Sequence, residues 1–166
     1  MFTIENLDEI RNKKGFICDM DGVIYHGNRL LPGVKEFVEW LYKEDKKFLF
    51  LTNSSDRSPR DLQQKLQRMG LDIDETHFYT SAQATARFLN SQSPGCSAYV
   101  MGEAGLMNAL YEVGITMNDS TPDYVVIGEP KSYNYEMIIK AVKLIQNGAK
   151  LVATNSDLTG PTENGI

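Results

Sequence analysis

The sequence predicts an α/β protein built on parallel sheets, and two observations carry this prediction. Short apolar runs alternate with amphipathic stretches of helical period from one end of the 166-residue chain to the other. Parallel strands need long crossover connections, usually helices, so this alternation favours parallel sheets. The composition, with 42% hydrophobic and 23% charged residues, is ordinary for a folded globular protein.

The first half of the chain contains two predicted strands and three predicted helices. In chain order they are strand 15–18, helix 32–44, strand 48–51, helix 58–70 and helix 82–90. Pro32 suits a first helical turn, Ser58 is a good N-cap, and Gly70 is a typical helix stop. Two parallel strands make a poor core alone. Either the second half completes this sheet, or the sheet is incomplete.

The second half repeats the alternation after a Ser-, Gly- and Pro-rich linker at residues 90–95. Its predicted elements are strand 98–101, helix 106–114, strand 124–127, helix 135–147 and strand 151–153. This βαβαβ order again predicts a parallel sheet. Residues 47–56 and 150–157 share an apolar strand that runs into Thr-Asn-Ser. Buried strands followed by Asn turns often look alike, so we infer no duplication from this similarity.

Charge and cysteine content narrow the classes of partner and the cellular setting. The chain has 17 basic against 22 acidic residues, and its basic pairs are Lys13-Lys14 and Lys46-Lys47, the second of which follows Glu44 and Asp45. Nucleic-acid binding needs clustered basic residues, so it is not expected. No apolar run approaches the roughly 20 residues that span a bilayer. Cys18 and Cys96 form neither a disulfide framework nor a zinc pattern. We expect a reduced, cytoplasmic protein whose partners are small molecules or metal ions.

The strongest chemical signal is the pair Asp19 and Asp21, which follows the first apolar run directly. Ligands of parallel sheets bind outside the carboxyl ends of the strands. Residues two apart in an extended segment face the same way, so these carboxylates can share a divalent cation. Such a pair suits phosphoryl transfer, in which one carboxylate attacks phosphorus and the other moves protons. The alternative interpretation is a solvated Asp-Gly turn at Gly22.

A second polar segment, Thr52-Asn53-Ser54-Ser55, follows the second apolar strand. Its hydroxyls, amide and backbone N–H groups can hold a phosphate oxygen. The alternative interpretation is an Asn turn and a Thr turn that lead into the Ser58 cap. We favour the phosphate-binding interpretation because Asp19 and Asp21 lie at the end of a neighbouring predicted strand.

Together these motifs resemble the haloacid-dehalogenase-like phosphatases of the NagD type. The matching stretches are FICDMDGVIYHGNRLLPG, FLFLTNSS, FYTSAQATARFL, YVMGEAGLMNAL, PDYVVIGEPKSYNYEMI and LVATNSDLTGPTENGI. The resemblance implies a Rossmann-like parallel-sheet core with an inserted α/β cap. Residues 1–80 would be the N-terminal part of the catalytic core, and residues 81–166 the substrate-specificity cap.

The resemblance also implies a role for each motif residue. Asp19 would be the nucleophile that forms an aspartyl phosphate and binds Mg²⁺. Asp21 would protonate the leaving group and then activate water, while its backbone carbonyl binds Mg²⁺. Thr52, Asn53 and Ser54 would hold the transferring phosphoryl group. Residues 23–31 would form only a small flap, and the loop 155–164 would help to choose the leaving group.

One departure from the family pattern concerns the rest of the catalytic site. The family places a Lys and a further acidic pair after the cap, and this sequence ends before them. The candidate lysines all lie in the cap-like region and do not match: Lys131, Lys140, Lys143 and Lys150. We therefore expect an incomplete core sheet, and weak or no activity from these 166 residues alone.

The resulting hypothesis is Mg²⁺-dependent hydrolysis of small phosphomonoesters, such as sugar phosphates or nucleoside monophosphates. The partner is a small phosphorylated metabolite, with no nucleic acid and no membrane, and the cap could support a homo-oligomer. One alternative is a phosphate- or metal-binding module without turnover. Another is an inactive assembly subunit that dimerises through the cap.

Overall fold

The computed structural model describes residues 4–157, which fold around two parallel sheets. The strands are β1 (Gly15–Asp19), β2 (Tyr25–His26), β3 (Arg29–Leu30), β4 (Lys47–Thr52), β5 (Phe78–Thr80), β6 (Ser97–Met101), β7 (Thr116–Met117), β8 (Tyr124–Ile127) and β9 (Lys150–Ala153). The α-helices are α1 (Ile4–Arg11), α2 (Val34–Lys43), α3 (Pro59–Arg68), α4 (Ser81–Gln92), α5 (Ala104–Glu112) and α6 (Tyr135–Gln146). None of the helices between residues 4 and 157 has the length and apolar composition needed to cross a membrane.

The first sheet has the parallel strand order β1-β4-β5. Alternate residues of β4 face one core, where Phe48 and Phe50 pack with apolar residues of α2 and α3. Ile17 of β1 faces the other way, and 72% of its surface is exposed. The core of this sheet therefore lies on its α2 and α3 side.

The third strand of this sheet, β5, was missed by the sequence prediction, which gave the first half only two strands. β5 has three residues and runs into α4 without a turn, because Thr80 both ends the strand and caps the helix. Its pairing partner is β4, with Thr52 opposite Thr80. So short a strand has too little apolar alternation to be recognised from sequence.

The second sheet has the order β7-β6-β8-β9, with every pairing parallel. Successive residues of β8 point to opposite faces: Val126 packs with α4 and α5, whereas Val125 packs with α6. This sheet is therefore the middle layer of three. The βαβαβ order predicted from sequence is confirmed, and the two-residue β7 is an addition to it.

Local sequence signals explain where three helices begin. Ser58 caps α3 by accepting a hydrogen bond from the Asp61 N–H, and the Asp61 carboxylate accepts in return from the Ser58 N–H. Thr80 and Gln83 form the same reciprocal cap at α4. Asn134 caps α6 by accepting from the backbone N–H of the third helical residue, at 2.8 Å. The predicted Ser58 cap is confirmed, and α4 includes the first three residues of the predicted linker.

The two sheets meet at a close contact, which we call the junction, between residues 55–57 and two glycines of the second half. The Gly105 N–H donates to the Asp56 carbonyl at 3.2 Å. A Cβ atom on Gly105 would lie 2.6 Å from backbone atoms of Arg57, and one on Gly128 would lie 2.8 Å from Ser55 Oγ. Backbone therefore packs almost directly on backbone where the two halves join.

Candidate active site

The acidic pair lies where β1 ends, and the two carboxylates emerge on either side of a buried residue. Asp19 is the last residue of β1 and is exposed, whereas Met20 is fully buried and holds the segment against the core. Asp21 is half-buried. Gly22 then adopts a positive φ of 78°, which lets the chain turn into the β2–β3 hairpin. The short flap predicted for residues 23–31 corresponds to this hairpin.

Tyr25, in that hairpin, is the side chain that contacts Asp21. Its hydroxyl donates to Asp21 Oδ2 at 3.4 Å, and only 3% of the residue's surface is exposed. Burial, reinforced by the Asp21 carboxylate, raises the pKa of the Tyr25 phenol well above its usual value. Tyr25 therefore remains a protonated donor toward Asp21. The Lys65 Nζ lies over the Tyr25 ring, 3.6 Å from its centre.

Thr52 connects the two aspartates, because it lines a cavity with each of them. Asp19, Thr52 and Asn53 line one cavity at the ends of β1 and β4. Asp21, Thr52 and Ser54 line a second cavity of about 160 Å³, whose wall also includes Lys65. The structure thus gathers the five residues that the sequence singled out around the carboxyl end of one pair of parallel strands.

The segment after β4 forms the Thr turn that was one part of the alternative interpretation. Thr52 Oγ1 accepts a hydrogen bond from the Ser54 N–H at 3.1 Å, and the segment continues into the Ser58 cap. The Asn53 carbonyl accepts from the Ser81 hydroxyl at 2.7 Å. These bonds fix the backbone of the segment and leave the Asn53 amide and the Ser54 hydroxyl to make other contacts.

Those two groups contact carboxylates from the second half of the chain. Asn53 Nδ2 donates to Asp157 Oδ2 at 2.6 Å. Ser54 Oγ lies 3.0 Å from Glu129 Oε2 and 2.8 Å from Asp56 Oδ1, so it can donate its single proton to either. The Asn53 and Ser54 donors therefore already bind anionic oxygens in this arrangement.

The two similar Thr-Asn-Ser segments meet at the same place. Thr154 follows β9, and its hydroxyl lies 3.2 Å from Ser55 Oγ, while Asn155 Nδ2 donates to Glu129 Oε1 at 3.3 Å. The carboxyl ends of β4, β8 and β9 thus converge, and each contributes polar groups. Part of the loop expected to choose the leaving group, residues 158–164, lies outside the described residues.

Sequence reasoning assigned no role to Glu129 or Lys65, and it included Asp157 only as part of the loop 155–164. Glu129 follows a strand end, so the rule that finds Asp19 could also have found it. Lys65 lies one helix away from the motifs, and only the packing of α3 brings it to Asp21. Of Lys131, Lys140, Lys143 and Lys150, Lys140 pairs with Asp119 at 2.7 Å, away from this site.

The donor set is compatible with a hard divalent cation. Within residues 4–157, no three His, Cys, Asp or Glu side chains are grouped so that they could hold a metal ion. Mg²⁺ is typically bound by one or two carboxylates and completes its shell with water and substrate phosphate. The pair Asp19 and Asp21, in which Asp19 is exposed and Asp21 half-buried, fits that kind of binding.

Comparison with known proteins gives a consistent result. A family model described as haloacid dehalogenase-like hydrolase matches residues 16–116. Dihydroxyacetone phosphatase of Corynebacterium glutamicum is 43% identical over 91% of this chain and 55% of its own length. Ribonucleotide monophosphatase NagD of Escherichia coli K12 is 42% identical over 89% of this chain and 58% of its own.

Solved structures agree with these sequence relatives. NagD from the E. coli K-12 strain superposes with a TM-score of 0.83 over 89% of this chain and 58% of that chain, at 42% identity. A 4-nitrophenylphosphatase from Thermotoga maritima gives a TM-score of 0.88 over 94% and 60%, at 33% identity. The chain therefore spans little more than half the length of the relatives that it matches.

Proposed function

The chain belongs to the haloacid dehalogenase-like hydrolase family, as its motifs predicted, and on this premise we propose that it hydrolyses small phosphomonoesters with Mg²⁺. The observation that carries the proposal is the position of Thr52, which lines one cavity with Asp19 and another with Asp21. In this proposal residues 1–80 belong to the catalytic core, and residues 81–166 form the substrate-specificity cap. Sugar phosphates and nucleoside monophosphates are the proposed substrates.

Asp19 is the proposed nucleophile. Its carboxylate is exposed at the end of β1, so an oxygen can reach phosphorus. A new bond forms between this oxygen and phosphorus while the ester bond between phosphorus and the leaving oxygen breaks. The product is an aspartyl phosphate, which splits one difficult hydrolysis into two easier steps.

Asp21 is the proposed acid and base. It gives a proton to the leaving oxygen in the first step. In the second step it takes a proton from the water that attacks phosphorus, which releases inorganic phosphate and restores Asp19. The hydrogen bond from Tyr25 and the buried Met20 beside it support a fixed position for this carboxylate.

Thr52, Asn53 and Ser54 are proposed to hold the transferring phosphoryl group. The supporting observation is that Asn53 and Ser54 already direct donors at carboxylate oxygens of Asp157 and Glu129. Donors that bind one anionic oxygen are suited to bind another. Asp19 and Asp21 would hold Mg²⁺, which when bound offsets the repulsion between the phosphate and these carboxylates.

The setting and the assembly of the protein are also proposals. Free thiols at Cys18 and Cys96 support a reducing, cytoplasmic setting. Exposed apolar side chains on α6, at Tyr135, Ile138 and Val142, support a homo-oligomer formed through the cap.

The test is phosphate release from p-nitrophenyl phosphate and glycerol 3-phosphate by a chain extended to the length of its relatives, with Mg²⁺ and with a chelator. We expect Asp19→Asn to abolish release, while Asp119→Asn, which removes an exposed carboxylate of the second half, has no effect. Calorimetric titration with inorganic phosphate and Mg²⁺ provides a second readout. Binding without any release from the wild-type chain would favour the binding module, and release that survives in Asp19→Asn would refute the nucleophile.

A further inference from the structure

We infer that Glu129 selects the leaving group and favours phosphomonoesters with an uncharged, hydroxyl-bearing leaving group over those with a second anionic group. This inference rests on the proposed function, because it assigns the phosphoryl group to Thr52, Asn53 and Ser54. Glu129 follows β8 in the second half of the chain, within the stretch PDYVVIGEPKSYNYEMI, and the sequence analysis assigned it no role.

The direction of the leaving group follows from the geometry of phosphoryl transfer. The attacking and leaving oxygens lie roughly in line, on opposite sides of phosphorus. Asp19 attacks from the end of β1 in the first sheet, so the leaving group extends away from that sheet. The loops after β8 and β9 lie on that side, since Glu129 and Asp157 contact Ser54 and Asn53 there.

Glu129 is held in a defined position by its backbone. Its N–H donates to Ser55 Oγ at 3.3 Å, and Ser55 is fully buried. The preceding Gly128 has no room for a Cβ atom, which would lie 2.8 Å from the same oxygen. The Gly128 N–H also donates to the Met101 carbonyl at 2.8 Å. The Glu129 carboxylate is therefore presented from a fixed backbone, although the residue itself is exposed.

One carboxylate oxygen of Glu129 can exchange its present hydrogen bond for one from a ligand with little loss of free energy. Oε1 accepts from Asn155 Nδ2 at 3.3 Å, whereas Oε2 lies 3.0 Å from Ser54 Oγ. Ser54 has a second acceptor, Asp56 Oδ1, at 2.8 Å. When the Ser54 proton turns to the bound phosphoryl group, Oε2 of Glu129 becomes free to accept from a hydroxyl of the leaving group.

The same place is unfavourable for a negative charge. The Glu129, Asp56 and Asp157 carboxylates all lie within hydrogen-bond distance of the proposed phosphate-binding side chains. Arg57 is placed to compensate Asp56, since its Nε lies 3.6 Å from Asp56 Oδ2. A leaving group with its own carboxylate would meet like charge, which is a common way to reject a wrong partner.

The test compares two three-carbon ligands, glycerol 3-phosphate and 3-phosphoglycerate, which differ by a hydroxymethyl group in place of a carboxylate. Dissociation constants are measured by calorimetry with Mg²⁺, and KM and kcat are measured wherever phosphate is released. Glu129→Gln keeps the shape and an acceptor oxygen but removes the charge. Glu103→Gln is the matched control, because Glu103 contacts the Lys131 N–H and not Ser54.

We expect the wild-type chain to bind glycerol 3-phosphate more tightly. Glu129→Gln should narrow the ratio of the two dissociation constants about tenfold, or about 1.4 kcal/mol, through tighter binding of 3-phosphoglycerate. Glu103→Gln should leave the ratio unchanged. Binding of both ligands with a ratio that Glu129→Gln does not change would overturn the role of Glu129 alone. Failure of both ligands and of inorganic phosphate to bind would overturn the proposed function as well.

Discussion

Replacing Gly105 with Ala tests how tightly the two halves of the chain are packed at the junction. Gly105 lies in the first turn of α5, and its N–H donates to Asp56 across the junction. The new Cβ atom would lie 2.6 Å from the N and C atoms of Arg57 and 2.8 Å from its Cα. Because all three are backbone atoms, no side-chain rotation can relieve the overlap.

Two opposing effects set the expected magnitude. Alanine is the better helix former by about 1 kcal/mol, which favours the variant. Overpacking a well-packed interior typically costs about 1–3 kcal/mol, and overlap with rigid backbone belongs at the upper end. We therefore expect a net loss of about 1–2 kcal/mol in the free energy of unfolding. For a chain of this size that corresponds to a Tm lower by about 2–8 °C.

The assay is urea and thermal unfolding followed by circular dichroism. Gly15→Ala serves as the reference variant, since a Cβ there would meet Lys47 atoms only at 3.5 and 3.9 Å, which are ordinary contact distances. Its stability should stay within about 1 kcal/mol of wild type. The reasoning is wrong if Gly105→Ala unfolds at or above the wild-type temperature, because helix propensity would then outweigh the overlap.

Two further predictions concern helix caps. Asn134→Ala should lower the free energy of unfolding, measured with urea, by about 1 kcal/mol, whereas Asn134→Gly should lower it by only a few tenths of that. Equal losses in the two variants would argue against the cap. Hydrogen bonds from the Ser58 hydroxyl and then its N–H lower the pKa of Asp61. The stabilisation by ionised Asp61 is therefore full above the unfolded pKa, near 3.9, and is lost as the pH falls through the lower folded pKa. At pH 6 the free energy of unfolding of the wild type, measured with urea, should accordingly exceed that of Asp61→Asn. This difference should shrink below about pH 4, and a difference that does not change with pH would refute the reasoning.

Strong periodicity and clear turn chemistry made most of the fold predictable. The apolar spacing from Val34 to Leu41 and the run from Phe48 to Leu51 each correspond to an observed element. Strands β5 and β7 could not be found in this way because they have only three and two residues. The neighbouring strands determine how β5 and β7 pair, because a segment of two or three residues cannot by itself define a pairing register.

The candidate site was predictable only where it follows directly from a strand end. Asp19, Asp21 and Thr52 are local consequences of β1 and β4, so their placement around one sheet edge could be derived. Glu129 also follows a strand end, but its contact with Ser54 depends on the packing of the two halves, and the position of Lys65 near Asp21 depends on the packing of α3. No local pattern encodes that packing.

The separation of these contacts along the chain has a consequence for the order in which the molecule folds. The hydrogen bonds Asn53–Asp157, Ser55–Thr154 and Ser54–Glu129 span 104, 99 and 75 residues. Each sheet forms from βα segments that are neighbours in the sequence. These bonds instead close long loops, and the entropy lost on closing a loop opposes folding before the bonds can form. We expect the two halves to acquire their own cores early and to dock late. During synthesis on the ribosome, the loop after β4 would then remain exposed to solvent until β9 has been synthesised.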